Sequence, residues 1–133
     1  MSENLKDVSV LDLLLKPELP DVRKVLPEKQ VKIDRLSELV GQDVIFRLRG
    51  LSYKQVRQTQ DKPLDERALY IVLEGCVEPN FHKAQLLCPE KGIATSLDAI
   101  SARLTAGEID ELSMEIQKLS GYLHKTLSEV KNA

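Results

Sequence analysis

Tryptophan is absent from the 133 residues, and aromatic side chains make up only 4% of them. Without them the chain offers no stacking platform for bases or sugars. No apolar run approaches the roughly 20 residues that cross a bilayer. An excess of one charge is missing as well: 30% of residues are charged, yet the net charge is only -2. Dedicated binders of nucleic acid or anionic membranes carry a basic excess, so this balance argues against both partners. Glycine is sparse at six residues, and Gly50, Gly92 and Gly107 never cluster into a phosphate-cradling loop. The opening Met1–Asp7 has neither a basic nor an apolar leader region. Together with two cysteines, that fits reduced thiols in a cytoplasm.

What the chain does have is helical amphipathicity, clearest between Thr105 and Gly121. Thr105 and Glu108 stand at capping-box spacing, and Glu108, Asp110 and Glu111 crowd a first turn where the helix dipole favours negative charge. Ile109, Leu112, Ile116 and Leu119 follow at steps of three and four, an apolar stripe on one face. Gly121 is placed to stop or kink the helix.

The rest of the chain is arranged around such elements. Residues 1–7 read as a frayed polar start. Val8, Leu11, Leu14 and Leu15 form one helical face, capped by Asp7 or Ser9 and stopped by Lys16-Pro17. This helix either packs on its own domain or docks on another protein. Pro17, Pro20 and Pro27 then forbid regular helix and mark a connector. The division expected is 1–27, an N-terminal helix and Pro-containing linker, and 28–133, a single helical domain with a β-hairpin.

Gln30 to Leu36 and Val44 to Arg49 alternate like half-buried strands, with Val31, Ile33, Phe46 and Leu48 facing inward. Ser37–Asp43 between them reads as a turn or one short helical turn. Ser52 and Gln55 cap a helix reaching about Gln58. Pro63, at or near a first helical position, opens a helix bracketed at its end by Gly75 and Pro79. Leu64, Ala68, Leu69, Ile71, Val72 and Leu73 make it the expected core helix. Phe81, Leu86 and Leu87 mark a short helix, and Thr95 to Asp98 caps another carrying Leu97, Ile100 and Leu104. Beyond Gly121, Tyr122, Leu123, Leu127 and Val130 continue an apolar face toward a frayed Lys131–Ala133. The expected class is mostly α (α+β): a small helical domain with one antiparallel β-hairpin near residues 30–49.

Chemistry-bearing groups are few. Cys76, His82 and Cys88 are evenly spaced, with His124 as a fourth candidate, but the close cysteine pair of a zinc knuckle is missing. Both cysteines read as small buried hydrophobes. No local motif pairs a thiol with a base. Glu108, Asp110 and Glu111 are accounted for by their first-turn position and should be solvated. Arg47, Arg49, Lys54 and Arg57 form the most basic strip, 47–57. It is either a solvated surface, the reading favoured by the acidic whole, or a phosphate contact of a small DNA-binding or regulatory module.

Three stretches carry a resemblance: Ile45–Ser52, Leu73–Phe81, and Leu104–Leu112 followed by Ile116–Gly121. The chain resembles the XkdN-like tail assembly chaperones of Gram-positive phages and PBSX-like prophage elements over roughly residues 8–122. It departs from the family pattern at Thr105-Ala106, where a proline often precedes Gly-Glu. The resemblance implies a non-enzymatic protein of the host cytoplasm, without cofactor or metal, that binds the tape-measure protein and keeps its helices soluble. Other implied partners are the tail-tube protein and a frameshifted longer form of the chain itself. Leu11, Leu14 and Leu15 on the first helix, with Leu123 and Leu127 near the C-terminus, are the expected client contacts; the alternative places them in the core. A structural tail component is the remaining reading.

Overall fold

The computed structural model describes residues 9–131. The polar start at 1–7, Val8 and the last two residues, 132–133, lie outside that range. Ser9 opens α1 (Val10–Leu14), its hydroxyl accepting the Asp12 N–H at 3.1 Å. Pro17 stops the helix, and turns carry the chain to Pro27.

Strand β1 (Glu28–Lys32) pairs antiparallel with β2 (Ile45–Arg49), Glu28 opposite Arg49 and Lys32 opposite Ile45. The alternation holds on β2, where Phe46 and Leu48 are buried while their neighbours are not. The first strand is shorter than its pattern suggests, because from Asp34 the chain is helical in α2 (Asp34–Val40). Ser37 is the physical reason. Its buried hydroxyl donates to the Ile33 carbonyl and accepts the Val44 N–H, both at 2.8 Å, tying α2 to the approach of β2. Gly41 then closes the helix in the left-handed region, at φ 77°.

α3 (Tyr53–Gln60) starts at the expected capping box of Ser52 and Gln55. Pro63 leads into a short 3-10 turn, Leu64–Glu66, before α4 (Arg67–Gly75) begins. α4 packs on α6 (Ala106–Leu119), on α5 (Ser96–Ser101) and on α3, so it is the central helix. Leu64 does not join its core face: it lies in the preceding turn and is exposed. Directly after α4, β3 (Cys76–Glu78) adds a third strand to β2, giving the order β1-β2-β3. A three-residue strand beginning where a helix ends has no alternation long enough to announce it. The stretch after Phe81 is a 3-10 turn at Ala84–Leu86 rather than an α-helix.

The core gathers between the sheet and α4–α6. Leu48, Val72, Ile100 and Ile116 are fully buried, and Phe46 meets Phe81 edge to face at a centroid distance of 6.0 Å. Each such aliphatic side chain contributes about 1.5–3 kcal/mol by leaving water. The result is an α+β fold, mostly helical, around a three-stranded antiparallel sheet.

α5 and α6 both open on capping boxes, Thr95 with Asp98 and Thr105 with Glu108. Glu108 does more than cap, and is not freely solvated. Its Oε2 and Oε1 accept Arg35 Nε at 3.0 Å and Nη2 at 2.9 Å, while Arg35 Nη2 also reaches the Arg103 carbonyl at 2.8 Å. This planar, two-point contact joins α2 to the start of α6. The Arg35 guanidinium is the main reason that the Glu108 carboxyl is held down at about 2, from an ordinary 4.5. A carboxyl depressed in the folded state stabilises the fold above its unfolded value and loses that contribution as pH falls. The native chain is therefore expected to lose stability between pH 4.5 and about 2. In chemical denaturation across that window, Glu108→Gln should show a shallower dependence. The slope should not vanish, since Asp98 and Glu115 are also held below their ordinary values.

Candidate protein-binding surface

Four of the five residues of α1 are apolar, with Asp12 the exception. Leu11 and Leu14 lie on the helix and Leu15 is its C-cap; they are 66%, 65% and 71% exposed. Val10 and Leu13 are exposed beside them. Leu123 and Leu127 are exposed too, at 59% and 80%, but on an irregular segment instead of the helical continuation expected. α6 ends at Leu119 with Ser120 as its cap, and both Gly121, at φ 97°, and Leu123, at φ 67°, take the left-handed conformation. Two such residues so close together break the right-handed helical path through 121–123. The five expected contact residues therefore occupy two separate segments, each uncovered.

Sequence reasoning missed a third feature, a groove of about 550 Å³ between α3, α4 and α6. Val56, Ile71, Met114 and Tyr122 supply apolar wall, with Arg67 and Asp110 as its charged members. Leu51, Val56, Ser120 and Tyr122 also line an adjoining hollow of about 380 Å³, whose far side is formed by Val22, Leu26 and Pro27 of the connector. Three helices distant in sequence build this groove, so no local pattern could reveal it. The one signal was Met114, an apolar residue off the buried stripe of α6. Concave apolar surfaces with a few charges suit an amphipathic helix.

The remaining constellations do not assemble. Burial pushes the Cys76 thiol up to about 12, so it is a poor nucleophile at neutral pH. The Cys88 thiol donates to Glu90, and His82 faces Glu74 at 3.3 Å. Among the described residues, no three His, Cys, Asp or Glu side chains converge as metal ligands would. The basic strip is partly satisfied within the protein. Arg47 pairs with Glu28 at 3.3 Å and Glu78 at 3.6 Å. Arg57 bonds the Tyr53 hydroxyl and Gln60, and stacks on the Tyr53 ring at 5.0 Å. No helix among the described residues is long and apolar enough to cross a membrane.

Comparison with known proteins adds what geometry alone leaves open. No curated protein is similar enough to match. Among solved structures, the crystal structure of the protein yqbn is similar in fold, with a TM-score of 0.56 at 14% identity. The likeness covers 74% of this chain and 89% of that one. The family model described as phage XkdN-like tail assembly chaperone protein matches residues 11–133. Of the described residues, that span takes in every α-helix but for the first residue of α1, the three-stranded sheet and the groove, and the chain belongs to the XkdN-like phage tail assembly chaperone family.

Proposed function

We propose that this chain binds the phage tape-measure protein during tail assembly and keeps its apolar helices soluble until tube subunits enclose them. It acts in the host cytoplasm, without catalysis, by lending hydrophobic contacts to its client. In this reading 1–27 is the N-terminal helix and Pro-containing linker, and 28–133 a single helical domain with a β-hairpin. The tail-tube protein and a frameshifted longer form of the chain are further partners. The observation that carries the reading is the pair of uncovered leucine segments, α1 and the tail after α6, in a chain of a tail assembly chaperone family. Apolar side chains exposed together mark interaction surface rather than core.

Co-expression with the tape-measure protein tests the contact residues. Leu14→Asp and Leu123→Asp are each expected to return most of the client to the insoluble fraction. Both side chains are exposed, so the circular dichroism of the variants should match that of the native chain. Client that stays as soluble with both aspartates present removes these segments from the binding site. A structural tail component would remain in mature particles, whereas a chaperone should be missing from them when particle proteins are identified by mass spectrometry.

A further inference from the structure

We propose that α1 of one copy seats in the α3–α4–α6 groove of a second copy, so that two chains exchange their N-terminal helices. Four observations point to this occupant. First, α1 is a capped, preformed helix whose apolar side chains, Val10, Leu11, Leu13 and Leu14, are all exposed. The groove offers the complementary surface, with the apolar side chains of Val56, Ile71 and Met114 left without a covering layer.

Second, the charges match. Asp12 lies on α1, and Lys16 follows directly after its C-cap. Arg67 and Asp110 line the groove and supply the opposite sign for each. Apolar contact flanked by two complementary charge pairs also sets the direction in which the helix enters.

Third, the connector favours exchange over self-docking. Pro17, Pro20 and Pro27 stiffen it. Asp21 further holds Arg23 in a local two-point contact, accepting at 3.0 and 2.8 Å. A stiff strap leaves α1 uncovered by its own domain and available to a neighbour. Fourth, the far end of that strap is already part of the site: Val22, Leu26 and Pro27 wall the hollow that continues the groove. Each chain's strap thus leaves from the groove that the partner's helix enters, which is the geometry of a closed two-fold exchange. The exchange would keep the leucines of α1 covered until client helices compete for them.

Site-directed disulfide formation in the full chain, carrying Cys88→Ser, tests the proposal. One preparation carries Leu14→Cys and a second Met114→Cys; both positions are substantially exposed, so folding is preserved and is checked by circular dichroism. Mixed and oxidised, the two are expected to form a cross-linked pair, and the untreated native chain should sediment as a dimer. A chain carrying both cysteines that links within itself, as a monomer, shows α1 folding onto its own groove and overturns the exchange. A monomer with no link overturns it as well, and so does a dimer in which these positions never link. Leu14→Asp should shift the native dimer to monomer; a dimer unchanged by that charge counts against the seat.

Discussion

Gly50→Ala is expected to be among the most damaging single-methyl changes in the chain, costing about 3 kcal/mol and lowering the melting temperature by roughly 10 °C. A Cβ at this position would stand 2.5 Å from the Leu119 carbonyl oxygen, 2.8 Å from its carbon and 3.1 Å from the Ser120 nitrogen. These are backbone atoms, so no side-chain rotation relieves the clash. Nor can the end of α6 simply withdraw. Ser120 Oγ accepts the Leu51 N–H and donates to the Ile116 carbonyl, both at 2.7 Å. On its other side Gly50 donates its own N–H to the Pro27 carbonyl at 3.0 Å. One glycine thus lets β2, the connector and the end of α6 meet. Thermal unfolding followed by circular dichroism gives the answer. A loss below about 1 kcal/mol would mean that α6 is not held where this contact places it.

Gly75→Ala should cost about 1–3 kcal/mol for a different reason, and the cost should depend on a partner. Here the added Cβ meets Ile116 itself, at 2.5 Å from Cδ1, 2.6 Å from Cγ2 and 2.8 Å from Cγ1. Ile116 is fully buried, so its side chain has little space in which to move. Truncating that side chain alone, Ile116→Ala, should cost about 2–5 kcal/mol through lost burial and a cavity. In the double variant the two defects offset each other, because the methyl added by Gly75→Ala enters the space that the isoleucine vacates. The combined loss should be smaller than the sum of the single losses by about 1 kcal/mol or more. Strict additivity in urea denaturation would show that α4 and α6 do not touch through this pair.

Both sites illustrate why part of the fold was legible in the sequence and part was not. Local chemistry was legible. The capping boxes of Ser52, Thr95 and Thr105 form as their spacing predicts, since each needs only residues three apart. The inward pattern Phe46 and Leu48, and the stripe Leu112 and Ile116, follow from periodicity alone. Long-range chemistry was not legible. Ser37 converts the expected end of a strand into α2 by bonding across to Val44, and β3 exists only because β2 lies beside it. The partner of Glu108 is Arg35, 73 residues away, so an acid read as solvated is in fact held by a guanidinium.

The candidate surface divides in the same way. The leucines of α1 and the tail could be named from the sequence, but not the conformation of the tail. Leu123 takes a positive φ, which its residue type disfavours. Apart from Met114 standing off the stripe of α6, the groove left no trace in the sequence, because Val56, Ile71 and Met114 come from three helices that the sequence does not show meeting.

Direct binding is the measurement closest to the central claim. Purified chain mixed with its phage's tape-measure protein, or with that protein's apolar helical segments, should co-elute on size exclusion and suppress client light scattering in proportion to chaperone added. Charged substitution of Leu14 or Leu123 should weaken both effects together. A client that scatters equally with and without the chain, and elutes apart from it, would contradict the account.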